Sequence, residues 1–323
     1  MLEQLQNRAI LDRLERARAK SKIKQVDWPD RHIIGKDGKP VPFHLAQSAA
    51  YDSNRRTIVL SGGSQSGKTT LQPWWLKREI QFGGPGDYLA ITSSFDLFKL
   101  KYLPQMLLVF EEILGWGRFW AGDKILELKD PKTGEFWAEK STDPMWGRII
   151  LRSAQSLGGL ESATAKAASL DEAGQDEFPI EAYRAINRRL SLSRGRKFIS
   201  TTLYNLGWLK TELIDPVIKT GTTRTETMPS GAEVDITESE KEDCTLIQYD
   251  SIVNPEFSIE EWNDAKEKLP DDLFNMFYRG RISRPRHMIY DCLNEDLHFI
   301  PRFAIPNDWQ RYMGLDFGAV NTV

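Results

Sequence analysis

The sequence predicts an α/β fold in which helices flank a mostly parallel β-sheet. Short apolar runs rich in β-branched residues alternate with stretches of helical periodicity. A glycine-rich turn joins one of these runs to a helical pattern. The 323 residues, 40% of them hydrophobic, suffice for one large domain or two smaller ones. No apolar run reaches the roughly 18 residues that a membrane span requires.

The predicted elements follow the order expected of parallel strands joined by helices. Strands are predicted at 57–61, 88–92, 148–152 and 197–201, with another directly before Asp171. Helices are predicted at 69–80, 179–192, 258–269 and 271–279, and 97–114 is predicted to be partly helical. The Thr-, Glu- and Gly-rich stretch 220–243 is predicted to be either a mobile loop or a β-ribbon.

Residues 1–24 form a predicted N-terminal helical arm, because Leu and Ile recur at roughly helical spacing among Arg and Lys residues. The arm either packs on the body of the protein or docks onto a partner or a neighbouring subunit. Proline and glycine residues then interrupt regular structure between residues 25 and 42.

Composition limits the range of functions. A formal net charge of −3 excludes a basic field over the whole chain, such as a nucleic-acid-binding protein often carries. One local basic cluster is either a solvated helix face or a binding surface. Its members are Arg184, Arg188, Arg189, Arg194, Arg196 and Lys197. Two cysteines without metal-like spacing indicate a reducing compartment and no zinc site.

Residues 62–69 form a complete phosphate-binding loop. Their sequence, GGSQSGKT, fits the pattern G-x-x-x-x-G-K-[ST] and lies between an apolar strand and a helix. Gly62 and Gly67 allow backbone N–H groups to point at phosphates, and Lys68 adds a positive charge. Thr69 offers a hydroxyl to Mg²⁺ at the positive end of the helix dipole. The predicted ATP-binding residues are Gly62, Gly63, Ser64, Gln65, Ser66, Gly67, Lys68, Thr69 and Thr70.

An acidic pair at the end of a later strand favours hydrolysis over binding alone. Asp171 would hold Mg²⁺, and Glu172 would orient and deprotonate the attacking water. Glu172 and Lys68 are therefore predicted catalytic residues. The preceding strand is only weakly apolar, and other acidic doublets occur in the chain. The alternative, that the pair caps a helix, stays open.

Two further sets of polar residues are candidates for contact with the nucleotide. Ser200, Thr201 and Thr202 end a strand and would sense the γ-phosphate, unless they are only a polar strand terminus. Gln47 lies about 20 residues before Lys68, and its amide could bind both hydrogen-bonding edges of adenine. The alternative for Gln47 is an exposed helical side chain.

Taken together, four segments resemble the large terminase subunit of tailed bacteriophages, the ATPase that packages DNA into procapsids. They are HLAQ at 44–47, GGSQSGKTT at 62–70, GGLESATAKAASLDEAGQ at 158–175 and STTLYNLGWLK at 200–210. Residues 254–282 also resemble the end of that family's ATPase region. The resemblance extends from about residue 25 to the C-terminus, and 158–175 is its most specific part because generic P-loop proteins do not share it.

The resemblance implies a P-loop NTPase of the RecA-like, additional-strand (ASCE) type with a small lid or linker subdomain. It also implies double-stranded DNA, a portal protein and a small terminase subunit as partners. The subunits would form a homo-oligomeric ring, a pentamer on the procapsid, while the chain in solution could be a monomer. Such a motor works in the host cytoplasm and is not in the mature virion.

The last residues resemble the start of a second domain. RYMGLDFGAVNTV at 311–323 is similar to the first strand of the family's RNase H-like nuclease, and Asp316 matches its first metal-binding aspartate. The resemblance implies Mg²⁺ or Mn²⁺ there, but the other acids of that site are not in the sequence, so we expect no nuclease activity. The predicted domains are an arm (1–24), an ATPase domain (25–285) and a linker with an incomplete nuclease domain (286–323).

One position departs from the family pattern. Many members carry an arginine that acts in cis inside the phosphate-binding loop, where this chain has Ser64. Transition-state charge would then need another cation, for example from a neighbouring subunit. The candidates are Arg148, Arg152, Arg188 and Arg189, of which Arg152 and Arg189 are named as catalytic candidates. A cation acting in trans predicts slow turnover by a monomer.

Other functions remain open at the level of sequence. A helicase or repair ATPase would need a second RecA-like domain, and no second phosphate-binding loop follows residue 210. A nucleotide-gated assembly protein would bind ATP and hardly turn it over. A kinase is the weakest alternative, since no second substrate pocket is suggested. The role of Glu172 distinguishes a hydrolase from a nucleotide-gated protein.

Overall fold

A computed structural model of the chain describes residues 33–137, 146–156, 164–204, 207–283, 303–310 and 312. The chain divides into two compact units, Met1–Ser283 and Arg284–Val323. In the second unit, Phe303 and Trp309 make an edge-to-face contact with ring centroids 6.0 Å apart. The predicted arm at 1–24 and Asp316 lie outside the described residues. The domain boundaries proposed from sequence stay predictions.

A ten-stranded sheet forms the centre of the first unit. Its strands are β1 (Thr57–Gly62), β2 (Asp87–Thr92), β3 (Gly117–Trp120), β4 (Ile125–Leu128), β5 (Arg148–Ser153), β6 (Ala165–Asp171), β7 (Arg196–Thr201), β8 (Thr222–Thr227), β9 (Glu233–Ser239) and β10 (Cys244–Tyr249). They lie in the order β3-β4-β5-β2-β6-β7-β1-β10-β9-β8. The central strands from β5 to β10 are parallel, and two antiparallel strands extend each edge.

The predicted fold class is confirmed, and the sheet is larger than the sequence indicated. Strands β1, β6 and β7 are buried almost throughout, as expected of parallel strands covered on both faces. The stretch 220–243 forms the antiparallel pair β8–β9, so it is a β-ribbon and not a mobile loop. Strands β3, β4 and β10 were not predicted, because they are short or contain polar residues without clear alternation.

Helices cover both faces of the sheet. They are α1 (Leu45–Asp52), α2 (Lys68–Gly83), α3 (Ile180–Leu190), α4 (Asp215–Thr220), α5 (Ile259–Lys268) and α6 (Asp271–Phe277). A mixed helix, here called the α/π segment, comprises α-helical turns at Phe95–Leu97 and Leu103–Leu107 and π-helical turns at Phe98–Tyr102 and Leu108–Ile113. A further π-helical turn at Lys210–Ile214 leads into α4, and a 3₁₀ turn covers Ser251–Val253.

Two apolar cores result from this layering. Side chains of α1, α2 and the α/π segment form the core on one face, and those of α3 and α4 contribute to the core on the other. A smaller cluster joins α5 and α6 through Trp262 and Phe274. No helix in the described part of the chain combines the length and apolar character needed to cross a membrane.

The order of three strands defines the edge at which a ligand would bind. β7 lies between β1, which leads into the phosphate-binding loop, and β6, which ends at Asp171. An extra strand between these two is the additional-strand arrangement predicted above. Because all three strands are parallel, their carboxyl ends meet at one edge of the sheet, where ligands bind in open α/β folds.

Candidate nucleotide-binding site

A cleft of about 670 Å³ lies at the carboxyl ends of β1, β6 and β7. The phosphate-binding loop from Ser64 to Thr70 lines one side of it. Glu172, Thr202 and Tyr204 line the opposite side, and residues of the α/π segment close a third side. The structure therefore brings the predicted loop and the predicted acidic pair to one cavity.

The loop has the curvature that phosphate binding requires. Gln65 and Gly67 both have positive φ, 56° and 80°, and Gly67 caps the N-terminus of α2. The Lys68 ammonium group is buried inside the loop, where it donates to the carbonyl oxygens of Gly62 (3.1 Å) and Gly63 (2.7 Å). Burial lowers the pKa of Lys68, an effect that the carboxylates of Glu172 and Asp171 oppose.

The C-terminal part of the unit packs directly on the outside of the loop. The backbone N–H of Ser64 donates to the carbonyl of Phe277 (2.7 Å), and the Ser251 hydroxyl donates to the carbonyl of Ser64 (2.8 Å). A Cβ added to Gly63 would lie 2.1 Å from the carbonyl oxygen of Tyr278. Only glycine fits at this position, so the close approach fixes the path of the loop.

His44 and Gln47 brace the other side of the loop. The Nδ1 atom of His44 accepts the N–H of Gln47 and caps α1, so its Nε2 donates to the carbonyl of Ser66 at 3.0 Å. The Gln47 amide nitrogen donates to the carbonyl of Gly67 at 2.9 Å. Burial lowers the pKa of His44 to about 4, so the ring is neutral at pH 7. Adenine recognition by Gln47 stays a prediction; in this structure its amide nitrogen bonds the loop.

Asp171 is held by three neighbours at the end of β6. Its Oδ1 accepts from the Ser200 hydroxyl (2.6 Å) and from the Gln72 amide (2.5 Å). The Thr69 hydroxyl lies 3.3 Å from both carboxylate oxygens. Burial raises the pKa of Asp171, and its hydrogen bonds and Lys68 counteract this by stabilising the charged form.

Glu172 follows directly and lines the cleft. Its backbone is in the left-handed region (φ 52°), which turns the chain sharply after the strand. The backbone N–H of Thr202 donates to its carboxylate at 3.3 Å. Burial raises the pKa of Glu172, and the charge of Asp171 raises it further. The Thr201 hydroxyl instead accepts from the N–H of Gly174, so it supports the loop after Glu172.

The residues present fit a Mg²⁺ ion beside a nucleotide. Magnesium is usually held by one or two carboxylates, a hydroxyl and substrate phosphates, with water completing an octahedron. Asp171 is a buried carboxylate facing the Thr69 hydroxyl, and it supplies this donor set. Among the described residues no cluster of three or more His, Cys, Asp or Glu forms a self-sufficient metal site.

The four arginine candidates lie outside the lining of the cleft as far as the chain is described. Arg148 begins β5 at the opposite edge of the sheet and pairs with Asp87 (2.7 Å). The Arg152 guanidinium donates to backbone carbonyls, including that of Lys124 (3.2 Å). Arg188 and Arg189 occupy the last turn of α3, which returns to the amino end of β6. Their action on a neighbouring subunit's nucleotide stays a prediction.

Sequence reasoning missed three functional neighbours. Gln72 was not singled out, although it bonds Asp171 from the second turn of α2. His44 was noted only as part of a motif, and its contact with Ser66 depends on the fold. Lys101 lines the cleft from the α/π segment, and only its position in a stretch predicted to be partly helical was visible beforehand.

The strand order and this cleft define a P-loop NTPase fold with an additional strand between the loop strand and the acidic strand. The structure is similar to the ATPase domain of the large terminase of Thermus phage P74-26, here in a point-mutant form. The TM-score is 0.54 and the identity 20%, covering 75% of this chain and 95% of that domain. No protein-family model and no curated protein matches the sequence.

The full large terminase of a second thermophilic bacteriophage is also similar, with a TM-score of 0.59 and 12% identity over 82% of this chain. The chain spans 60% of the length of that protein. A structure of the same terminase in complex with ADP matches with a TM-score of 0.57 and 14% identity, covering 86% of this chain and 62% of that one. At these identities the similarity concerns the fold, which is that of terminase ATPase domains.

Proposed function

We propose that this chain is the ATP-hydrolysing motor domain of a viral terminase large subunit, which moves double-stranded DNA into a procapsid. One observation carries the ATPase proposal: Lys68 and Thr69 share a single cleft with Glu172, and Asp171 faces Thr69. The similarity in fold to phage terminase ATPase domains supports the packaging role.

Hydrolysis would follow from these positions. The loop N–H groups and Lys68 bind the β- and γ-phosphates, while a water oxygen attacks the γ-phosphorus and its proton passes to Glu172. The bond from the γ-phosphorus to the bridging oxygen breaks, and its electron pair stays on ADP. The raised pKa of Glu172 improves it as a proton acceptor. Mg²⁺, held by Thr69 and Asp171, would supply charge neutralisation at the phosphates.

DNA would be bound through exposed arginines at the end of α3 and in the turn that follows. Arg184, Arg188 and Arg194 are exposed. Two other members of the basic cluster are more buried and have structural contacts: Arg196 pairs with Glu79 (2.5 Å), and Lys197 donates to Asn187 (2.7 Å). Only part of the cluster therefore faces solvent, where phosphates could reach it, and such contacts weaken steeply as salt rises.

The remaining partners belong to the packaging machinery. A portal protein, a small terminase subunit and a homo-oligomeric ring are the assemblies that a terminase motor would join in the host cytoplasm. One structure of the second phage's large terminase contains ATP-gamma-S, which supports the choice of ATP as the nucleotide for this chain.

The motor proposal is tested by steady-state ATP turnover with and without duplex DNA, in wild type and Lys68→Ala. We expect DNA to stimulate the wild type, stimulation to fade between low and physiological salt, and Lys68→Ala to be inactive in both conditions. Turnover that DNA does not change at any salt would contradict the motor, while turnover retained by Lys68→Ala would contradict hydrolysis at this site.

A further inference from the structure

The phosphate-binding loop of this chain supplies one cation, Lys68, and hydrolysis needs more positive charge. As the γ-phosphoryl group transfers, charge spreads over its oxygens, and P-loop ATPases place a second cation there. Ser64 contributes none, and the arginine candidates lie elsewhere. Among the described residues that line the cleft, the only cationic side chains are Lys68 and Lys101.

The α/π segment holds Lys101 in place. Phe98 and Tyr102, at the two ends of its first π-helical turn, are completely buried, whereas the three residues between them are exposed. The Tyr102 hydroxyl donates to Ser169 on β6 at 2.7 Å. The turn that carries Lys101 is thus fastened to the strand that ends at Asp171. Single π-helical turns occur frequently at functional sites.

The Lys101 ammonium group is available for a ligand. It makes no hydrogen bond or ion pair with the residues that the structure describes, and it is exposed to the cleft. Its charge acts across the cleft on Lys68, whose pKa it lowers, and on Glu172, whose pKa it also lowers slightly. Two residues earlier, Lys99 lies 5.0 Å over the ring of Phe95 and does not line the cleft.

We propose that Lys101 is a cis-acting catalytic cation that contacts the γ-phosphate of ATP and replaces the arginine absent at Ser64. The proposal rests on the ATPase function above. During attack by water, the new bond to the γ-phosphorus forms as the bridging bond breaks. The electron pair goes to ADP and the proton to Glu172. Lys101 stabilises the negative charge on the γ-phosphoryl oxygens and exchanges no proton.

The test compares Lys101→Met, which keeps the length of the side chain without its charge, with Lys99→Met as the matched control. We expect Lys101→Met to lower kcat on the order of 100-fold, as for loss of one transition-state donor, and Lys101→Arg to recover part of it. Lys99→Met should stay within about twofold of wild type, as is usual for exposed positions. Affinity for ADP should be unchanged in all three, while Lys101→Met should bind ATP-gamma-S several-fold more weakly.

A kcat for Lys101→Met within about threefold of wild type, with Lys68→Ala inactive, would overturn this inference and leave the ATPase proposal intact. Equal losses in Lys101→Met and Lys99→Met would also overturn it. A wild-type chain without turnover would contradict the ATPase proposal instead. Binding would then decide the role of Lys101: a wild-type preference for ATP-gamma-S over ADP that survives in Lys101→Met would overturn it.

Discussion

The Thr69 hydroxyl lies 3.3 Å from both carboxylate oxygens of Asp171, although 102 residues separate them in the chain. Thr69 lies in the first turn of α2, directly after the phosphate-binding loop, and Asp171 ends β6, two strands away from β1 in the sheet. The additional strand β7 separates β1 from β6 and contributes Ser200 to the same carboxylate. Loop, acid and intervening strand thus form one constellation, on which the following predictions depend.

Gln72 positions Asp171 through a buried chain of hydrogen bonds. Tyr102 donates to Ser169, Ser169 donates to the Gln72 side-chain oxygen, and the Gln72 amide donates to Asp171. Gln72→Met should keep the volume but lower kcat about 10- to 100-fold and raise the Mg²⁺ concentration required, as for loss of a partner behind a metal ligand. The control is Gln81→Met, at an exposed position of the same helix. Equal kcat in both variants would exclude the positioning role.

The acid limb of the pH–rate profile should report Glu172. Burial and the charge of Asp171 raise its pKa, so the free enzyme should lose kcat/KM as pH falls through a value above the ordinary 4.5. The reason is that only the carboxylate accepts the proton of the attacking water. Circular dichroism at each pH verifies that the chain remains folded. Full activity down to pH 4.5 would show that Glu172 is not the base.

His44 should make stability depend on pH. The unfolded chain protonates His44 near 6.5 and the folded chain only near 4, so the unfolded state binds more protons between these values. The stabilisation is complete above pH 6.5 and is lost as pH falls toward 4. The change is on the order of 2–3 kcal/mol. It is measured as the difference in free energy of unfolding between wild type and His44→Asn, compared at neutral pH and near the folded pKa of about 4. A difference that does not change with pH would contradict a buried, neutral His44.

Gly63 should not tolerate a side chain. Because its Cβ would lie 2.1 Å from the Tyr278 carbonyl oxygen, Gly63→Ala must displace the loop or the segment after α6. We expect a loss of about 1–3 kcal/mol in stability, typical of overpacking, together with weaker ATP binding. Gly122→Ala is the control, since nothing lies within 4 Å of its added Cβ. A Gly63→Ala variant that melts and binds ATP like Gly122→Ala would refute the close approach.

The sequence predicted those parts of the site that are local in the chain. The loop 62–69, the pair Asp171-Glu172 and the strand ending near Ser200 each carry their chemistry in a few consecutive residues. The contacts of Gln72 with Asp171 and of His44 with Ser66 depend on strand order and helix rotation, which no local pattern specifies. Lys101 was hidden for another reason: one extra residue in a π-helical turn changes which side chains face outward.

The edges of the sheet escaped prediction for a related reason. β10 is buried along its whole length yet contains Cys, Thr and Gln, and it completes the parallel core only because β1 lies beside it. The ribbon β8–β9 was recognised as one of two alternatives, since its Thr-rich composition suits both an exposed strand and a loop. Pairing partners distant in sequence decided between them.

The central claim is that this cleft hydrolyses ATP with Glu172 as the base. The most direct test measures ATP turnover and ATP-gamma-S binding in parallel for wild type and Glu172→Gln. We predict that the variant binds the analogue as tightly as wild type and that its turnover falls by about 100-fold or more. Equal turnover by the two proteins would contradict hydrolysis by Glu172.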